Sequence, residues 1–180
     1  MAEQSLSLTK RFALFAGLVI VAASVLLISF YSRVASDDLT AMAERSNAAV
    51  AKIFSNVVWD AHAGFLTTAH ILPATAIRSH PETQQIHQRL VGSLRDLSIL
   101  KIKIYDQNGL TVFSTEPTQI GEDKSTNPGF LAARTGHRAS ELTHRDTFSA
   151  FEQTVQDRDV LVSYVPITSA SASIAGVFEV

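Results

Sequence analysis

Residues 99–115 read ILKIKIYDQNGLTVFST, and their period decides the fold. Leu100, Ile102 and Ile104 alternate with Lys101, Lys103 and Tyr105, the two-residue repeat of a strand with two different faces. Asp106-Gln107-Asn108-Gly109 follows as a turn, with Asn108-Gly109 expected to supply the positive φ angles of a tight hairpin. Leu110 to Thr115 returns as the partner strand, so an antiparallel hairpin stands near the middle of the chain.

Upstream of the hairpin the spacing is helical. Pro81 opens a helix at a first-turn position, where its missing N–H costs nothing. Ile86, Leu90, Val91, Leu94 and Leu97 fall on one face of it, with Gln84, Gln88, Arg89 and Arg95 elsewhere. From Val34 to Leu72 there is no proline and only Gly64, which predicts a long helix ended by Pro73, with Val50, Phe54, Val57, Ala61 and Phe65 facing a core. Downstream, the loop from Glu116 to Asn127 holds Pro117 and Gly121. Pro128 then starts a short helix through Arg134 that Gly136 ends. Three more strands are expected near residues 138–143, 159–168 and 174–180, the last two joined by the small-residue tract Ser169 to Ser173. The fold class is α+β, with a long N-terminal helix on one face of an antiparallel sheet of about five strands.

Far upstream, Phe12 to Tyr31 (FALFAGLVIVAASVLLISFY) carries no charge over twenty residues. At about 1.5 Å of rise per residue such a helix spans roughly the 30 Å hydrocarbon core of a bilayer. Lys10 and Arg11 precede it, while Arg33, Asp37 and Asp38 follow, which favours an N-terminus inside the cytoplasm and everything past Val34 outside. A cleaved signal peptide is the alternative, because Val34-Ala35-Ser36 offers small residues at cleavage positions, although the run exceeds the roughly 7 to 15 residues of an h-region. Either way the remainder is extracytoplasmic. The expected organisation is a cytoplasmic N-terminus over 1–11, a transmembrane helix over 12–32, a membrane-proximal helical segment over 33–98 and the sheet over 99–180.

Composition removes several kinds of chemistry. A net charge of −2 without a Lys/Arg tract gives no electrostatic footprint for nucleic acid. With no cysteine, the chain has no disulfide, thiolate metal site or Cys nucleophile. Its six histidines never take His-Glu-x-x-His spacing, and no Gly-x-Ser-x-Gly elbow occurs. No cofactor, metal or catalytic residue is therefore expected. His144-Arg145-Asp146 matches the catalytic-loop tripeptide of protein kinases, yet Thr147 to Phe151 lacks the downstream Asn that holds magnesium. It reads instead as a turn whose Asp146 accepts from nearby backbone N–H groups.

The segment from Ile104 to Thr115, followed by Ile120-Gly121 and Asp123, resembles the central hairpin of Cache domains, the PAS-like extracytoplasmic sensor modules of bacterial receptors. Further on stand Asn127-Pro128-Gly129-Phe130 with Ala133-Arg134, then His144-Arg145-Asp146, then Arg158-Asp159-Val160-Leu161 running into Tyr164-Val165-Pro166-Ile167. These are similar to sensor regions of proteobacterial membrane histidine kinases and diguanylate cyclases. The likeness covers about Ile99 to Val180. It implies a PAS-like sheet, then a second membrane helix and a cytoplasmic output domain; with the sequence ending inside Gly176 to Val180, the sheet is expected to be truncated there.

A sensor pocket in this fold is expected on the sheet face away from the long helix, roofed by the segment from Glu116 to Arg134. Tyr105, Arg134, Arg138, Arg158 and Tyr164 are the ligand-binding candidates, offering guanidinium forks and phenolic donors to a small anionic metabolite. The other reading of the same residues pairs Arg158 with Asp157 or Asp159 at the rim and half-buries Tyr164 in the core. Leu39, Met42, Ala49 and Ile53 form a seam that either meets a second copy as a coiled coil or lies on the chain's own sheet. The function expected is the periplasmic signal-input module of an inner-membrane histidine kinase, single-pass within these residues and non-enzymatic itself. Its partners are the membrane, a small anionic ligand and a second copy. A diguanylate-cyclase input region, and a membrane-tethered binding or scaffold protein without an output domain, are the alternatives.

Overall fold

The computed structural model describes residues 2–94, 99–150, 153–169 and 172–180. The chain forms two compact units, residues 1–42 and 43–180, and α1 (Ala2–Thr68) contributes to both. In the first unit the helix turns its apolar side chains outward: Phe12, Leu26 and Phe30 are 73%, 70% and 68% exposed. By length and composition this helix is long and apolar enough to cross a membrane. Two of its hydroxyls are satisfied within the helix, Ser24 donating to the Ile20 carbonyl at 2.8 Å and Ser32 to the Ser29 carbonyl at 3.1 Å, as an apolar solvent favours.

The second unit continues through a 3₁₀ turn (Ala69–Ile71) to α2 (Ala74–Ser79) and α3 (Pro81–Leu94), then β1 (Lys103–Tyr105) and β2 (Thr111–Ser114). A 3₁₀ turn at Pro117–Gln119, α4 (Pro128–Arg134), β3 (Ala139–Ala150), β4 (Gln153–Thr168) and β5 (Ile174–Glu179) complete it. The five strands form one antiparallel sheet in the order β2-β1-β5-β4-β3, as the α+β reading expects. The short helix α2 was not foreseen. It begins directly after Pro73, whose extended backbone starts a helix as readily as it ends one.

One sheet face carries the main core. Ile102, Ile104, Phe113, Val165, Ile167 and Phe178 meet Phe54, Val58, Phe65 and Leu66 of the α1 end, Ala69 of the 3₁₀ turn, Ile77 of α2, and Ile86 and Leu90 of α3. Each large apolar side chain buried this way contributes about 1.5–3 kcal/mol. The helix face differs from the expected one: Val57 and Ala61 are exposed, while Ala51, Val58 and His62 are buried. The burial of polar His62 explains the shift in phase, because its Nδ1 meets Glu82 of α3 at 2.8 Å. The side chains of Val91 and Leu94, and all of Arg95 and Leu97, lie outside the described residues.

At the central hairpin only Gly109 takes a positive φ, at +94°. Asn108 does not, because the Asp106 carboxylate caps the turn, accepting from the backbone N–H groups of Asn108 and Leu110 at 2.9 Å each. His144-Arg145-Asp146 is not a turn. It lies within β3, whose pairing with β4 runs from Ala139↔Tyr164 to Ala150↔Gln153. Cross-strand contacts hold it there, His144 Nδ1 meeting Asp159 at 2.9 Å and Nε2 meeting Asp157 at 3.3 Å. Arg158 is the register partner of Arg145, and among the described residues it makes no ion pair with Asp157 or Asp159, which meet His144.

Candidate ligand cavity

The second sheet face is covered by α4, and local sequence fixes both of its ends. Asn127 Oδ1 accepts from the Phe130 N–H at 2.9 Å, and Pro128 occupies the first turn. Gly136, at φ +92°, lets its own N–H and that of His137 return to Ala133 and Ala132 at 2.9 and 3.1 Å. The helix presses Phe130 and Ala133 onto Tyr105, Tyr164 and Val177, forming a second small core. The Tyr105 and Phe130 rings meet edge-to-face at 5.8 Å. Gly129 lies flat against the Tyr164 ring, where any Cβ would collide, so close approach demands the glycine.

Tyr105 is fully buried, and its hydroxyl donates to the Glu179 carboxylate. Burial, reinforced by that carboxylate, pushes its pKa well above the usual phenol value. Burial and Glu179 raise Tyr164 too, with the Asn127 side chain acting the other way. Both phenols therefore stay protonated and serve as donors.

Beside this core, past the start of β1, lies a cavity of about 720 Å³, within the size range of small-molecule sites. The sheet contributes Lys101, Lys103, Val160, Val162, Tyr164 and Glu179, the loop before α4 contributes Glu122, Lys124 and Asn127, and β3 contributes Arg145 and Phe148. Lys103 is 6% exposed and its Nζ lies 3.4 Å from Glu122, which Lys124 also approaches at 3.2 Å. Burial alone would raise the Glu122 carboxyl, but Lys103 and Lys124 outweigh it and hold the pKa below the usual carboxylate value.

Lys101 differs from its neighbour. It is 7% exposed, its ammonium sits 4.0 Å from the Phe148 ring centroid, and among the described residues no carboxylate lies within ion-pair distance of it. Burial first, then the neighbouring Lys103, lowers its pKa. Lining cations (Lys101, Lys103, Lys124, Arg145) outnumber lining carboxylates (Glu122, Asp159, Glu179); of the latter, Asp159 meets His144 and Glu179 accepts from Tyr105. The arrangement can hold an anion between ammonium groups with phenolic and amide donors alongside.

Of the five residues expected to bind ligand, Tyr164 lines the cavity, and Tyr105 lies sealed behind it, joined through Glu179. The three arginines are not brought to the lining. Arg134 is exposed with its guanidinium 5.9 Å from the Phe130 ring centroid, and Arg138 and Arg158 are exposed on the strands and their approach. Lys101 and Lys103 line it instead. Their signal was the alternation of the first strand, which sets Lys101, Lys103 and Tyr105 on one face.

No family model matches the chain, and no curated protein matches it. Among solved structures it is similar to the sensor domain of the histidine kinase DctB from Vibrio cholerae, at 14% identity and a TM-score of 0.43, over 83% of this chain and 55% of that one. It is similar to the DcuS sensor domain from E. coli at 15% identity and a TM-score of 0.36, over 71% of this chain and 89% of that one. A sensory box sensor histidine kinase from Vibrio cholerae is similar at 12% identity and a TM-score of 0.34, over 53% of this chain and 90% of that one. The chain thus spans only 55% of the length of the DctB sensor domain. All three are named as sensors, the class that the sequence resemblance implies.

Proposed function

We propose that this chain is the signal-input module of a membrane-bound bacterial receptor, a sensor histidine kinase foremost, and that it binds a small anion in the cavity lined by Lys101, Lys103 and Tyr164. The observation that carries the reading is Lys101: an ammonium on a largely buried side chain beside an open cavity, over an aromatic ring, with Glu116, Glu179 and Glu122 acting on it and, among the described residues, none of them at ion-pair distance. Those carboxylates offset the cost of burying the ammonium only in part, since its pKa is still lowered, and an anionic ligand in contact with it offsets more. The uncharged run at Phe12–Tyr31 supplies the anchor, and the flanking charges put the sheet-bearing unit in the periplasm. Binding signals only through a difference in affinity between two packings of the sheet on its helices. Pairing of two copies along Leu39, Met42, Ala49 and Ile53 belongs to the same proposal. Within these residues the module would serve a diguanylate cyclase equally well.

Calorimetry and thermal shift on the full chain in nanodiscs test the reading, with small carboxylates and inorganic phosphate set against small amines. An anion at 100 times its dissociation constant adds about 2.7 kcal/mol of stability. Lys101→Met weakens that anion about 10- to 100-fold, the worth of one charge-assisted contact. Anion binding that is indifferent to Lys101→Met, or binding of amines alone, would refute it.

A further inference from the structure

Lys101 offers a nitrogen at the wall of the cavity. Its side chain is 7% exposed, and the nitrogen stands 4.0 Å from the Phe148 ring centroid. A neutral amine in that position is a nucleophile, whereas an ammonium has no lone pair to give. Burial first, and then the neighbouring Lys103, favour the neutral form; Glu116, Glu179 and Glu122 act the other way and do not prevail. An apolar wall and a second cation are the two devices that commonly make a lysine reactive.

The groups around that amine are suited to a negative charge. Lys103 follows two residues along the same strand face, about 7 Å away at Cα, and Lys124 and Arg145 also line the cavity. The lining carboxylates are already engaged: Glu122 with Lys103 and Lys124, Asp159 with His144, and Glu179 with the Tyr105 hydroxyl. An anionic group built on the Lys101 nitrogen would stand among ammonium and guanidinium groups. An uncharged adduct would gain nothing from them.

We propose that Lys101 forms a carbamate, and that through it the module responds to carbon dioxide. The amine lone pair attacks the carbon of CO₂, a C–N bond forms, and one C=O π pair moves onto oxygen. The nitrogen then gives a proton to water in the cavity, leaving R–NH–COO⁻, and a returning proton reverses the step. Carbon dioxide is small and uncharged, so the apolar side chains of Phe148, Val160 and Val162 do not bar it. The carbamate replaces a cation with an anion, which competes with Glu122 for Lys103. That exchange between β1 and the loop before α4 is a difference between two states, as a signal requires. The inference shares the cavity of the anion reading, but its anion is made on the chain.

The test supplies the full chain in nanodiscs with ¹³C-labelled bicarbonate in equilibrium with CO₂, from about pH 7 to about pH 9. Triethyloxonium traps carbamates as ethyl esters, and mass spectrometry reads the labelled carbon at each lysine. Trapping at Lys101 is expected to exceed that at the exposed Lys52 by about tenfold or more, the worth of one charge-assisted contact to the carbamate. At fixed total carbonate it rises with pH, because only the neutral amine reacts, and Lys101→Arg, which keeps a cation, abolishes it. No labelled carbon on Lys101, or equal labelling of Lys101 and Lys52, would overturn the proposal. So would a carbonate-dependent rise in Tm without trapped carbon, the mark of bicarbonate held as an ordinary anion. Acetate, which forms no such bond, reports on the anion reading separately when its affinity is measured on the same chain.

Discussion

Lys101 and Lys103 sit two residues apart on one strand face, yet their surroundings set them apart: Lys103 has Glu122, and Lys101 has the Phe148 ring. The lowered pKa of Lys101 has a definite sign in stability. Between that lowered value and the ordinary lysine value of 10.5 the unfolded chain holds a proton that the folded chain has released, so stability rises with pH across that window. Lys101→Met is expected to abolish the rise and to stabilise the ligand-free domain near neutral pH by about 1 kcal/mol, or about 2–4 °C in Tm, measured by thermal unfolding from pH 7 to 10. A mutant that melts lower and keeps the slope would count against an uncompensated ammonium. Tyr105 and Tyr164 act oppositely: their raised values stabilise the folded state fully below pH 10, and that contribution is lost only as pH climbs toward the raised values. The alternation of residues 100–105 made the shared face of these side chains legible. That the β3–β4 hairpin and the loop before α4 cover the face was not, since charged residues on a strand ordinarily mean solvent.

At the scale of elements, what could be read depended on whether apolar residues mark the period. The hairpin, α4 with its Pro128 start and Gly136 stop, and the existence of all five strands were visible because turn residues and apolar runs bound them, whereas the Asn127 cap was not read. The lengths of β3 and β4 were not. Most of β3 is exposed and polar, so beyond the expected strand at 138–143 nothing in His144 to Ser149 distinguishes strand from loop until β4 pairs with it. In α1 the phase was misread because Val57 and Val58 are adjacent, and the face that wins includes Ser55 and His62, both polar. The outward positions Leu39, Met42 and Ile53 are 68%, 66% and 61% exposed. On the pairing proposal, single cysteines at Met42 or Ser46 form a disulfide-linked dimer in membranes under mild oxidation, while one at Glu44, off the seam, does so far less. Equal cross-linking at all three positions, or a monomer throughout, would argue that this helix has no partner.

For the whole molecule, the sequence alone called for a membrane span ahead of an α+β domain, and the structure supplies an outward-facing apolar helix and the five-stranded sheet. The cavity was beyond reach because it is assembled from α1, the start of β1, the loop before α4 and the far half of the β3–β4 hairpin, segments spread over more than a hundred residues of sequence. The account rests on the sheet-bearing unit facing the periplasm. The chain has no cysteine, so a single substitution provides a unique thiol. Labelling with a membrane-impermeant maleimide in intact spheroplasts is the direct measurement. Thr126→Cys, in the exposed loop before α4, is expected to react at once, and Thr9→Cys only after lysis. The reverse pattern, or protection of both thiols until lysis, would contradict an extracytoplasmic sensor.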